Sequence, residues 1–112
     1  MAVLDANYSD IDHDKMAKAI GLKVKHIPIL IASFLEESAS SLNKLAEAIK
    51  SKNYQDIELQ AHSIKGSAGN LRFNEVYEMS KEMELCATKA KVDFDYKAHL
   101  DAIKKAVATI ST

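Results

Sequence analysis

Residues 53–71 read NYQDIELQAHSIKGSAGNL, and the order of polar and apolar side chains along this stretch decides the fold. Asn53 is a good helix N-cap, and Asp56 falls in the first turn, where the helix dipole favours a carboxylate. At about 100° per residue, Ile57, Ala61, Ile64, Ala68 and Leu71 fall within one narrow arc, so a helix over 53–71 turns that arc to a core. His62 falls on the opposite side and faces solvent. Gln55, Glu58, Leu59, Lys65, Gly66 and Gly69 share its side, one or two turns away. Ser63 and Ser67 lie on other faces of the helix, which argues against a Ser–His hydrolase. Each glycine lowers helix stability by about 1 kcal/mol relative to alanine, and neither is needed to end the helix. Their expected role is to keep the ground around His62 clear for another protein's surface.

The same periodicity continues on both sides. Upstream, Ile27, Ile31, Phe34, Leu42, Leu45 and Ile49 repeat at spacings of three and four, interrupted by Ser38, and predict a helix over about 24–51. Pro28 falls in its first turn, where the missing N–H costs nothing. A short helix over about 12–20 precedes it, with Ser9, Asp10 and Asp12 as capping candidates and Gly21 as its stop. Downstream, Val76, Met79, Met83, Cys86 and Ala90 predict a helix over about 74–91, with the two methionines as core filler. Tyr96, Leu100, Ile103, Val107 and Ile110 predict a last helix over about 94–111, capped by Asp93. Long amphipathic helices joined by a few residues pack as antiparallel neighbours. The expected fold is all-α, an antiparallel up-down-up-down four-helix bundle with a short additional N-terminal helix, forming one domain over 1–112.

Composition bounds the function. A chain of 112 residues supports one modest core, and 47% hydrophobic with 28% charged residues belongs to a folded, soluble domain. The formal net charge is −1 with both signs interspersed, which leaves no basic stripe for nucleic acid. The longest apolar stretch, 27–35, contains Pro28 and is far shorter than the roughly 20 residues that span a bilayer. The opening MAVLDANYSD has no basic-then-apolar secretory pattern, so the expected location is the cytoplasm. The single cysteine, Cys86, reads as a packed thiol. His13, His26 and His99 read as structural or solvated, and no spacing of His, Cys or carboxylates stands out as a metal site. Four apolar stripes that close on one another leave no need for a dimer, so a monomer is expected.

The chemistry converges on His62. Imidazole is the side chain that is substantially neutral, and therefore nucleophilic, near neutral pH. Lys65, one turn on, supplies a positive charge that disfavours protonation of the ring and favours an arriving phosphoryl group. The run Ala61-His62-Ser63-Ile64-Lys65-Gly66-Ser67-Ala68-Gly69 resembles the motif of histidine-containing phosphotransfer (HPt) domains. That motif has a histidine, a lysine three later, a glycine four later and a small residue after it, on the second long helix of a four-helix bundle. Length, helix count and motif position extend the likeness over nearly the whole chain.

The resemblance implies that His62 accepts a phosphoryl group from the aspartyl phosphate of a receiver domain and passes it to another receiver. It implies Nε2 as the reacting nitrogen, Lys65 as electrostatic helper and Gly66 as the residue that keeps the site open. The acidic pocket and Mg²⁺ would lie on the receiver, so no cofactor is expected here. Ile20 and Leu22 end the short first helix, which in this family often packs near the acceptor. Together with Leu59 they are expected to form an apolar docking patch, with Gln55 and Glu58 on the same face. One residue departs from the pattern: many members have Gly ten residues after the histidine, where this chain has Arg72, which leaves the end of that helix and its turn open. Arg72 itself reads as a solvated arginine. Two rival readings stand beside the relay intermediate. One is the phosphoacceptor domain of a chemotaxis-type or hybrid histidine kinase, and the other is a helical adaptor without phosphoryl chemistry.

Overall fold

Local signals place three of the helix starts, at His13, Tyr54 and Asn74. In the computed structural model, which describes residues 3–110, the Asp12 side chain accepts the Lys15 N–H and opens α1, His13–Ile20. Gly21, left-handed at φ 74°, stops it. A 3-10 turn, Val24–His26, then leads into α2, Ile27–Lys50, so this helix begins three residues later than expected, with Pro28 in its first turn. Asn53 caps α3, Tyr54–Asn70, by accepting the Asp56 N–H. Helix α4 runs Asn74–Thr88, and α5 runs Tyr96–Ala108, capped by Asp95.

Two boundaries need correction. Helix α4 stops at Thr88 rather than about 91, because Ala90 turns left-handed at φ 49° and lies exposed instead of on the core side. The cap of α5 is Asp95, whose side chain accepts the Ala98 N–H, rather than Asp93. The expected end at 111 lies outside the described residues, and the helix itself ends at Ala108.

Three further helices end in the same way without a glycine. Lys52, Arg72 and Ala90 take positive φ values of 55°, 63° and 49° just past α2, α3 and α4. At each, the next amide donates back five residues: Asn53 to the Ala48 carbonyl, Phe73 to Ala68 and Lys91 to Cys86. This closing bond satisfies helix-end carbonyls and holds a residue with a Cβ where glycine would sit more easily.

Helix α2 packs against α3 and α5, and α4 packs against the same two, so the four long helices close into a ring, and the molecule is 42 Å along its longest axis. Cross-contacts show the alternating directions: Ser41 meets Ser63, His62 meets Glu84, and His99 meets Glu82. Inside lie Ile27, Ile31, Phe34, Leu45, Ile57, Ile64, Phe73, Met79, Met83 and Ile103. Ile49 and Val107 sit at the margin, while Ala48 and Ala106 take the inner positions. Cys86 is partly buried against the core, and burial pushes its thiol pKa up, so it is not an activated nucleophile. Only Ala17 of α1 is buried. The residues before α1 are held by Tyr8, whose ring lies on Phe73 at 4.7 Å and whose hydroxyl donates to Glu75 and accepts the Val76 N–H. Among the described residues no helix is long and apolar enough to cross a membrane.

Candidate functional site

Helix α3 turns Ile57, Ala61, Ile64 and Ala68 inward, and this sets His62 outward with 64% of its side chain exposed. The imidazole is nevertheless fixed. Its Nδ1 lies 2.7 Å from Oε2 of Glu84 on α4, and the other oxygen of that carboxylate lies 2.6 Å from the Lys65 ammonium. Glu84 is only 16% exposed, so one carboxylate at the α3–α4 seam clasps both residues of the motif.

Burial raises the pKa of the Glu84 carboxyl, but hydrogen bonds from Lys65 and His62 outweigh it and hold the net value below the usual carboxylate range. The same contact raises Lys65, its hydrogen bond to Glu84 outweighing partial burial. Glu84 is therefore an ionised acceptor, and an ionised carboxylate has no proton to give. It follows that His62 Nδ1 carries a hydrogen and donates, so that in the neutral ring the lone pair falls on Nε2. Sequence reasoning missed Glu84. A fold-back about Phe73 places residue 84 opposite residue 62, so the antiparallel register held the signal.

Lys65 differs from the expectation in one respect. Its ammonium is engaged by Glu84 in this structure rather than free beside the imidazole, so its charge is largely offset by that carboxylate. The two glycines also separate. A Cβ built at Gly66 meets nothing within 4 Å, as cleared ground requires. At Gly69 it would lie 3.2 Å from Cδ2 of Tyr77, so this glycine permits close approach of α4 instead of clearing the surface for a partner.

Leu59 is 60% exposed one turn before His62, and Gln55 is exposed a turn further back, with Glu58 half-buried. Leu22 is exposed beyond α1, while Ile20 is half-buried against the core. Leu22 lines a groove of about 260 Å³ with Leu30, Phe34, Ser67, Asn70 and Leu71, so the expected docking residues lie in two places, around Leu59 and around this groove. Arg72 is exposed but not merely solvated: its guanidinium donates to the Gly69 carbonyl at 3.3 Å and to the Ala19 carbonyl of α1 at 3.4 Å. His99 is buried on α5 against Glu82 of α4, while His13 opens α1 and His26 is exposed at the end of the 3-10 turn.

Compared with known protein families, residues 29–112 match the family model described as Hpt domain. No curated protein and no solved structure matches the chain.

Proposed function

The chain belongs to the Hpt domain family, a family of phosphotransfer carriers in phosphorelays, and from that membership and the geometry at His62 we propose that it relays a phosphoryl group between receiver domains through His62. The observation that supports this reading is the clasp of His62 Nδ1 by Glu84, which favours the tautomer with its lone pair on Nε2.

In the transfer, the Nε2 lone pair attacks the phosphorus of a receiver's aspartyl phosphate in line. The new N–P bond forms as the P–O bond to the aspartate breaks, and the bonding pair leaves on the aspartate carboxylate. The ring, still protonated on Nδ1, becomes a cationic phosphoimidazole, and the Glu84 carboxylate is already in place to balance that charge. Lys65, 2.6 Å from the same carboxylate, can turn from it toward the phosphoryl oxygens as they arrive. A second receiver aspartate reverses these steps. Mg²⁺ and the acidic pocket belong to the receiver, so the carrier needs no cofactor or metal of its own and has no independent turnover. Gly66 leaves the approach open, Leu59 supplies apolar contact with Gln55 and Glu58 beside it, and Leu22, next to the half-buried Ile20, supplies a second apolar contact at the groove. The setting is a cytoplasmic monomer.

Incubation with a phosphorylated receiver domain tests the reading. Acid-labile, alkali-stable label should appear on the wild-type chain and be lost in His62→Gln. Undiminished label on that variant, or none on the wild type from a broad panel of receivers, overturns it.

A further inference from the structure

Arg72 stands where three features meet. Its backbone is left-handed at φ 63°, closed by the Phe73 N–H donating to the Ala68 carbonyl, and this turns the side chain at the end of α3 back toward α1. Its guanidinium lies between two helix C-termini, donating through Nη1 to the Gly69 carbonyl in the last turn of α3 and through Nη2 to the Ala19 carbonyl in the last turn of α1. Both ends carry the negative pole of a helix dipole, and α3 has no basic residue of its own in its last turn. A fork of N–H donors can bridge two carbonyls at once, which a single ammonium does less well.

The bridge matters because α1 is thinly packed: Ala17 is its one buried residue and Met16 and Ile20 are half-buried against the core, so Arg72 adds a polar tie at its C-terminal turn, as Tyr8 does before its start. That turn is closed by the Leu22 amide donating to the Ala17 carbonyl, and it carries Ile20 and Leu22. Leu22 in turn forms part of the groove with Ser67, Asn70 and Leu71 at the end of α3, the helix that displays His62.

We propose that Arg72 is a positioning residue for partner docking: it clamps the end of α1 to the end of α3 and so fixes Leu22 where a receiver must meet it. The proposal rests on the phosphotransfer reading above. It assigns Arg72 no contact with the phosphoryl group, and its effect falls on the affinity for the partner rather than on the chemistry at Nε2.

Two phosphoryl donors separate these effects. Phosphoramidate is small and needs no docking, whereas a receiver domain phosphorylated with acetyl phosphate, the fastest donor to the wild type in a panel, must dock. Arg72→Gly suits the left-handed backbone and removes the clamp, and Arg72→Asn does the same with a side chain that tolerates this region. Both should leave phosphoramidate labelling of His62 and transfer at saturating receiver within about twofold while raising the apparent KM for the receiver roughly three- to tenfold. Amide exchange over 17–22 should quicken in both. In a Leu22→Ala background the KM is already raised, and adding Arg72→Gly should change it by less than about twofold, because the arginine acts through the placement of that leucine. An unchanged KM in the single variants, or effects that multiply in the double variant, overturns the clamp and leaves the phosphotransfer reading standing. Failure of the wild type to take label from any donor is seen before an Arg72 variant is made, and overturns both.

Discussion

The bundle contains two imidazoles that each place a ring nitrogen 2.7 Å from a glutamate of α4, and they serve opposite ends. Glu82 and Glu84 are two residues apart, a turn of about 200° around the helix, so one faces α5 and the other faces α3. The two pairs differ in what the second nitrogen meets. At His99, Nδ1 donates to the Asp95 carbonyl at 3.0 Å, the ring lies on Phe94 at 4.3 Å, and 6% of the side chain is exposed. At His62 the structure gives a hydrogen-bond partner to Nδ1 alone, and 64% of the side chain is exposed. A carboxylate partner alone therefore does not mark a reactive histidine. With both nitrogens engaged the ring is a tie between helices, whereas the proposed phosphoryl transfer needs one left free.

Exchanging the two losses gives the largest expected effects. His62→Gln should abolish phosphoryl label and change unfolding free energy by less than about 0.5 kcal/mol, as substitutions at exposed positions usually do. His99→Ala should do the reverse, retaining label while losing about 2–3 kcal/mol in denaturant unfolding, since it removes a buried ring and strands the partner of a charged hydrogen bond. Loss of label in His99→Ala at a temperature where the chain is still folded would break the distinction.

The glutamates should divide in the same manner. Glu84→Gln should slow transfer about tenfold, or ~1.4 kcal/mol of barrier, by removing the charge that holds the Nδ1–H tautomer. Glu82→Gln should leave the transfer rate unchanged. The clasp also has a pH signature. Burial raises the Glu84 carboxyl, the bonds from Lys65 and His62 outweigh it, and its folded value lies below its unfolded one. Such a group contributes stability that is fully present above the ordinary carboxylate range and is lost as pH falls through the folded value. The stability difference between wild type and Glu84→Gln should therefore be flat near neutrality and shrink in acid. A difference that grows below the carboxylate range would contradict the clasp.

Much of this was legible in the residues. The arc of Ile57, Ala61, Ile64 and Ala68 fixed which way His62 points, because a helical face follows from spacing alone. Asn53, Asp12 and Gly21 located their helix ends because each acts through its own side chain or its lack of one. Helix α4 ran too long in the sequence reading because its end, like those of α2 and α3, is closed by a residue with a Cβ in the left-handed region, and no glycine marks it. Glu84 was hidden for another reason: its role depends on which turn of α4 comes to rest beside α3, and a contact between helices leaves no period in either one. The same holds for Tyr77, whose ring alone separates the two glycines of the motif.

Those glycines give the smallest and most selective test of what sets the exposed imidazole apart. Both positions should gain about 1 kcal/mol of helix stability on replacement by alanine if nothing else changed. At Gly66 nothing else does change within the chain, since the added Cβ meets open space. Gly66→Ala should therefore raise the unfolding free energy by that amount while slowing transfer from a receiver several-fold and leaving phosphoramidate labelling nearly intact. At Gly69 the Cβ would press on Tyr77 at 3.2 Å, and the strain of moving that ring should cancel most of the helical gain. A Gly66→Ala chain that is more stable and equally fast with receivers would show that the bare backbone beside His62 is not part of the approach. The clear ground would then reduce to the exposed ring itself.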